Sequence, residues 1–233
     1  MKIAVCVPCY RDPAYHFAIS LVGLMVHTAK VRPDLELGSF WTQSTLVSQA
    51  RNRLLDDALN WGADHVLFLD ADQSFPMDAL LRLLGHGLDV VGVNYSTRVN
   101  PPRPTAANVA PDGSLVPVWT TKEEAEAGTV ERVGRIGLGV ALIARSVVER
   151  LRAEAEARGE PLGPLFHFRL SEDGRELTGE DFYFCERLER AGISVHVDHA
   201  LSWETGHVGE RVLYPADTEV ARIVAKAGRL RGQ

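Results

Sequence analysis

Apolar positions along this chain follow two alternating rhythms. Short continuous runs occur at residues 2–7, Val66-Leu67-Phe68-Leu69, Val90–Asn94, Ile136–Ile143 and Val195-His196-Val197. Their length and aliphatic content predict strands buried on both faces of a parallel sheet. Between them the apolar residues space at three and four, as in Leu46, Val47, Ala50, Leu54, Leu55, Ala58 and Leu59, with Gly62 placed as the glycine that ends the helix. The same period predicts helices over Tyr15–Ala29, Met77–Leu84, Ser146–Arg158, Gly179–Ala191 and Asp217–Ala227, and Phe40-Trp41-Thr42 reads as a short second strand. Strands alternating with helices imply right-handed βαβ units, hence an α/β fold with a mainly parallel central sheet flanked by helices.

The stretch from Ser96 to Glu131 breaks this rhythm. It holds Pro101, Pro102, Pro104, Pro111 and Pro117 and an acidic run at Glu123–Glu126. It is expected to be one long excursion carrying a hairpin, and long loops in compact domains are commonly functional. A single domain over 1–233 results, with halves at about 1–95 and about 133–215 joined by the excursion at 96–132.

Composition narrows the function classes. Net charge is −6, so no basic field draws the chain to nucleic acid. The C-terminal Arg222–Arg231 stretch reads as a solvated helical face. No apolar segment reaches the roughly 20 residues of a membrane span. The longest, Phe17–Val26, is interrupted by Ser20 and Gly23 and is expected to be a core helix. Residues 3–7 are too short for a signal-peptide core, so a cytoplasmic location is expected. Cys6-Val7-Pro8-Cys9 matches the redox spacing, but Cys6 lies inside a strand run. Three extended residues span about 10 Å, too far for a disulfide. With Cys185 alone elsewhere, a reducing compartment fits.

Candidate chemistry begins with Asp70 and Asp72 at the end of the Val66–Leu69 run. Ligands of open α/β sheets sit at the carboxyl ends of strands, and in extended chain residues two apart point the same way. With no Lys or Arg beside them in sequence, the two carboxylates call for a divalent cation and a phosphorylated ligand. The alternative is a helix cap plus a solvent-facing Asp, since Pro76 and Asp78 mark a helix start.

Four further features join them. Glu180 and Asp181 open a helix whose dipole favours their ionised forms, and such a carboxylate can take a proton from a sugar hydroxyl; a Thr178-capped helix with an acidic first turn is the plain alternative. His207, between Gly206 and Gly209, has no packing role that spacing suggests, and imidazole ligates divalent metals. His196, Asp198 and His199 have a metal-like look, weakened by the alternation of a strand. Arg51, in Arg51-Asn52-Arg53, borders the apolar stripe of its helix and faces a phosphate or carboxylate, or lays its stem along the surface. Gly137 and Gly139 precede a strand, not a helix, so they make no dinucleotide fingerprint and instead leave room for close approach of a substrate.

Val5-Cys6-Val7-Pro8-Cys9-Tyr10-Arg11, Gln49-Ala50-Arg51-Asn52, Val66–Asp72, Ile136–Gly139 with Leu142-Ile143, Gly179–Cys185 and Gly206–Gly209 stand in an order and spacing that resembles the GT-A-fold glycosyltransferases, near the family-2-like group of bacterial and phage enzymes. The likeness runs over about residues 2–210 and lapses from Asn100 to Arg132. It implies a single GT-A (Rossmann-like) domain and transfer of a sugar from a nucleotide-diphosphate sugar, a UDP- or GDP-sugar first among candidates, to a hydroxyl of an unknown acceptor.

The resemblance also distributes roles. Pro8, Cys9, Tyr10 and Arg11 wall the nucleotide, and Arg51 is a donor-site cation. Asp70-Ala71-Asp72 hold ribose and the metal, Mn²⁺ or Mg²⁺, with His207 as a third ligand. Gly137, Leu138 and Gly139 lie where donor sugar and acceptor meet. Asp181, beside Glu180, is the base of an inverting transfer; in a retaining member it would position substrate. Two other classes compete. A nucleotidyltransferase would carry a Gly-rich loop after strand one, whereas Pro8–Pro13 has no glycine. A non-catalytic nucleotide-sugar-binding module would need no base.

Overall fold

The computed structural model of the chain describes residues 1–159, 163–171, 174–210 and 212–231, with side chains to residue 226. In chain order the first half is β1 (Lys2–Cys9), α1 (Tyr15–Val31), β2 (Glu36–Gln43), α2 (Val47–Trp61), β3 (His65–Leu69), β4 (Gln73–Ser74), α3 (Ala79–Gly85) and β5 (Val90–Gly92). The middle holds the hairpin β6 (Ala107–Val109) and β7 (Leu115–Pro117), then α4 (Lys122–Glu126) and β8 (Val130–Val133). The remainder is β9 (Val140–Ala144), α5 (Arg145–Ala157), β10 (Arg169–Leu170), β11 (Leu177–Thr178), α6 (Glu180–Arg190), β12 (Val195–Asp198), α7 (His199–Glu204), β13 (Gly206–Val208), β14 (Val212–Leu213) and α8 (Pro215–Arg231).

A 7-stranded sheet in the order β2-β1-β3-β9-β5-β12-β8 forms the centre. β2, β1 and β3 are mutually parallel, as are β5 and β12. β9 runs antiparallel between β3 and β5, and β8 antiparallel beside β12. The sheet is therefore mainly parallel with two reversed strands. Continuous apolar runs are explained by cover on both faces: along β1, Ile3, Val5 and Val7 pack toward Phe17 and Leu24 of α1 and Leu80 and Leu83 of α3, while Ala4 and Cys6 pack toward Leu54 and Ala58 of α2. β3 alternates likewise, Leu67 and Leu69 against Val66 and Phe68. Phe68 meets Phe166 edge-on at 5.5 Å between centroids, and truncating so buried a ring costs about 3–5 kcal/mol.

Several boundaries differ from the sequence expectation. β2 spans Glu36–Gln43, longer than Phe40–Thr42, because it is an edge strand whose Glu36, Ser39, Thr42 and Gln43 interrupt the apolar run without disturbing its ladder to β1. The 96–132 excursion holds the expected hairpin, but its end is β8, an integral sheet strand. The expected strand at Ile136–Ile143 begins only at Val140. Gly62 ends α2 with φ 86, as placed. α6 starts from Gly179, with no side-chain cap from Thr178.

α1 is the larger departure. Only Phe17, Leu24 and Thr28 of it are buried, so the Phe17–Val26 run is not wholly a core segment.

Candidate functional site

β1 and β3 run parallel and end side by side, and the residues just beyond their ends line one cleft of about 660 Å³. Pro8, Cys9, Tyr10 and Arg11 come from the end of β1, Asp70, Ala71 and Asp72 from the end of β3, and Ser44–Val47 from the turn into α2. Arg98, Phe168, Val208 and Gly209 complete the wall. Cys9 hydrogen-bonds the Arg11 carbonyl, Cys6 is buried, and all three cysteines are free. Burial pushes the Cys6 thiol far up, so neither it nor its partner in the Cys-x-x-Cys spacing forms a redox pair.

Asp70 and Asp72 do not lie on an extended strand. β3 stops at Leu69, and Gln73 N–H donates to the Asp70 carbonyl at 3.0 Å, closing a turn over the two aspartates. Nor do they lack cations. Arg51 is 2% exposed; its Nη2 donates to both oxygens of Asp70 at 2.9 and 3.1 Å, its Nη1 to the Leu138 carbonyl at 3.1 Å, and its Nε to Glu180 at 3.3 Å. Arg98 Nη1 lies 3.1 Å from Asp72 Oδ2. Chain separation hid the pairing of Arg51 with Asp70, and Arg98 altogether, from the sequence. Arg51 thus sits behind Asp70 as an internal cation rather than in the cleft itself. Burial works against its charge but Asp70 and Glu180 outweigh it. Burial raises the Asp70 pKa despite Arg51, whereas at Asp72 burial is outweighed by His207 and Arg98, which lower it.

β13 brings His207 to the same place. It pairs antiparallel with β4, aligning His207 with Gln73, and Val208 N–H donates to the Asp72 carbonyl at 2.7 Å. His207 Nδ1 lies 2.8 Å from the Ser96 carbonyl and Nε2 lies 3.4 Å from Asp72 Oδ2. A carbonyl only accepts, so Nδ1 carries a proton. In the neutral ring Nε2 is then a bare lone pair facing a carboxylate. That pairing is favourable only with a cation between them, a proton on Nε2 or a metal, and one imidazole nitrogen with carboxylate oxygens is a donor set that Mn²⁺ accepts. The residues therefore fit a divalent ion in chemistry.

A second histidine gives the opposite result. Glu124, Glu131 and His199 offer ligand atoms within 4.8 Å of one another, a possible metal group among the described residues and one that the sequence did not suggest. Buried His199 contacts Thr120 Oγ1 through Nδ1 at 2.9 Å and Glu131 through Nε2 at 3.1 Å. Thr120 Oγ1 already accepts from Asn94 Nδ2 at 3.1 Å, leaving its hydroxyl free to donate to Nδ1. His199 then donates Nε2–H to Glu131, and the network closes with no ion. Asp198 caps α7 through the Leu201 N–H and meets His86 at 2.9 Å, so the His196–His199 stretch is structural.

Asp181 opens a different cleft of about 760 Å³, lined by Thr97, Arg103, Thr105, Arg169 and Phe182 among others. Buried Arg51, which lines neither cleft, ties Asp70 of the first to Glu180, the chain neighbour of Asp181 in the second. Burial and the charge of Glu180 push the Asp181 carboxyl up to about 6, only partly offset by Arg51. This is the reverse of what the helix N-terminus alone would do.

The antiparallel β9 explains why Gly137 and Gly139 are here: its start lies beside the end of β3, and Asp70 N–H donates to the Gly139 carbonyl at 2.8 Å. Gly137, Leu138 and Gly139 are all buried, and the room the glycines leave is filled by Tyr95. A Cβ on Gly137 would stand 2.4 Å from the Tyr95 hydroxyl, and one on Gly139 2.9 Å from its ring. Tyr95, at 7% exposure, packs edge-on to His207 at 5.3 Å. Burial and the charges of Asp70 and Asp181 hold its phenol pKa far up, so it stays a hydrogen-bond donor. Buried Gln73 beside it has no partner for either amide atom. Tyr95, Gln73 and Arg98 went unread in the sequence because none lies in a motif. Asn52 is a clamp: it accepts from Leu165 and Phe166 N–H and donates to the Phe166 carbonyl, setting the segment that carries Phe168 to the first cleft.

No family model and no curated protein matches the chain. Solved structures do. Protein A197 from STIV is 18% identical over 93% of this chain and 92% of its own, with a TM-score of 0.54. A Drosophila beta-1,4-galactosyltransferase 7 in complex with manganese, UDP-Gal and xylobiose is 13% identical over 84% of this chain and 64% of that one, TM-score 0.44. S. aureus TarS in complex with UDP-GlcNAc is 15% identical over 84% and 56%, TM-score 0.39. At 18% identity the likeness to A197 is one of fold alone.

Proposed function

We propose that the protein is a glycosyltransferase that moves a sugar from a nucleotide-diphosphate sugar to an acceptor hydroxyl. One observation carries this: the Pro8–Arg11 loop, Asp70 and Asp72 line a single cleft at the carboxyl ends of β1 and β3, while Asp181 lines a second cleft and its neighbour Glu180 shares buried Arg51 with Asp70. The donor nucleotide occupies the first cleft, against the exposed ring of Tyr10 and beside Arg11. The acceptor occupies the second.

Asp72 and His207 Nε2 would hold Mn²⁺ or Mg²⁺, which as a Lewis acid would stabilise the negative charge of a departing diphosphate, while Arg51 keeps Asp70 in the same cleft. Arg98 leaves Asp72 for the diphosphate, where its planar fork matches two phosphate oxygens. Arg51 fixes Asp70 and Glu180 so that neither moves when the clefts fill. Tyr95 packs on Gly137, Gly139 and His207 and so holds His207 in place. Asp181 takes the acceptor hydroxyl proton; held near pKa 6, it is ionised at neutral pH yet basic enough to act.

Asp181→Asn tests the reading. Transfer is expected to vanish while donor binding persists, and NMR of the anomeric carbon should show inversion. An active Asn variant would remove Asp181 from the mechanism.

A further inference from the structure

α1 carries an uncharged apolar face that none of the described residues covers. On a helical wheel Tyr15, Ala18, Ile19, Val22, Val26 and Ala29 fall within about 60° of one line, opposite the buried Phe17, Leu24 and Thr28. Tyr15 is 74% exposed, Ile19 54%, Val22 64% and Val26 63%. Met77, 57% exposed, extends the face, since its Cβ lies 3.5 Å from where a Cβ of Gly23 would stand. The one charge along this line is Lys30, at the last turn. Single exposed aliphatics are ordinary, but a contiguous patch of this kind marks an interaction surface.

We infer that this face pairs with the same face of a second copy across a twofold axis. Three observations favour that occupant. First, an uncharged stripe is complementary to itself, which is what an isologous contact requires. Second, the five large residues, at the fractions above and on the order of 200 Å² each when free, expose about 600 Å². Two copies would bury about 1,200 Å², the lower edge of specific interfaces. Third, Ala18 and Ala29 flank Val22, so two such helices can approach to the 8–10 Å typical of close packing. A lipid surface fits less well, because interfacial helices pair their apolar face with a Lys- and Arg-rich one. The opposite face of α1 is instead buried in the core, and the chain's net charge is −6.

The contact would also join the candidate donor sites. α1 begins directly after the Pro8–Pro13 loop, and Ala14 N–H donates to the Ala71 carbonyl at 2.8 Å between the two aspartates. A dimer would steady the base of that loop in both copies. Such pairing depends on exposure and area alone, whatever reaction the clefts perform.

Light scattering after size exclusion, with sedimentation equilibrium at micromolar concentration, tests it. The wild type is expected at twice 25.6 kDa and Val22→Glu at the monomer mass with an unchanged circular dichroism spectrum. Ile223→Glu serves as a control on α8, which also exposes Val220, Ile223 and Val224, and is expected to remain dimeric. A monomeric wild type would overturn the inference. So would a dimer that survives Val22→Glu or dissociates with Ile223→Glu, and so would a monomer whose Val22 face binds phosphatidylcholine–phosphatidylglycerol vesicles.

Discussion

At the residue scale the chemistry rests on one buried guanidinium and the carboxylates around it. Arg51 makes four hydrogen bonds, to Asp70, Glu180 and the Leu138 carbonyl. Arg51→Ala strands two carboxylates in a buried site, which costs about 3–5 kcal/mol; urea unfolding should report a loss of that size, and Arg51→Lys an intermediate one, because an ammonium cannot span all three partners. Removing the Asp181 charge should act in the opposite direction. Its carboxyl is raised from 3.8 to about 6, so the folded state holds the proton more tightly than the unfolded chain. The stabilisation that goes with protonation is complete below about pH 4 and is lost as pH rises through 6. Asp181→Asn should therefore raise the melting temperature at pH 7.5, by up to about 3 kcal/mol in stability, with the gain gone below pH 4. In the wild type, transfer should switch on through about pH 6 as the base ionises. A stability gain independent of pH would show that Asp181 is not the half-buried acid described.

At the element scale, a reversed strand and a short ladder assemble the site. β9 turns its start toward the end of β3, which places Gly139 on Asp70 and lets Tyr95 pack where a side chain would otherwise stand. Gly137→Ala and Gly139→Ala should each destabilise by about 1–3 kcal/mol through overpacking. Tyr95→Leu should relieve most of that in the double variants, so a double-mutant cycle should give a coupling above about 0.5 kcal/mol; additive effects would contradict the packing described. Much of this level was legible in the sequence. The apolar runs located β1, β3 and β12, and Gly62 marked the end of α2. Direction was not legible, since buried parallel and antiparallel strands share one composition, so β9 could be placed but not oriented, and β8 was read as part of the 96–132 excursion. β2 read short because an edge strand tolerates polar residues. The turn at Asp70–Gln73 was hidden by the assumption that the strand continues.

At the scale of the whole molecule, the seven-stranded sheet brings residues from Pro8 to Gly209 to one end. The candidate residues of the first cleft were nameable in advance, because Asp-x-Asp at a strand end is a local signal. Their pairing was not: Arg51 stood out as a cation, but its match with Asp70 19 positions away was not readable, and Arg98 sits in the Ser96–Glu131 excursion. The exposed face of α1 was misread for a related reason, since an apolar run reports how much surface wants cover but not whether this chain supplies it. If Arg98 serves the diphosphate, Arg98→Gln should weaken nucleotide binding about tenfold or more, the loss of a charge-assisted pair, and calorimetry would read it directly; unchanged affinity would leave Arg98 as a plain partner of Asp72. The donor cleft itself is best probed by a melting-temperature panel of UDP, GDP and their sugars, each with Mn²⁺ and with EDTA, on the wild type and on Asp72→Asn. A ligand that binds only the folded protein raises its melting temperature by mass action. A metal-dependent donor site requires a rise with one nucleotide, present with Mn²⁺, absent with EDTA and absent in Asp72→Asn. No rise with any nucleotide, or one that survives both EDTA and Asp72→Asn, would contradict it.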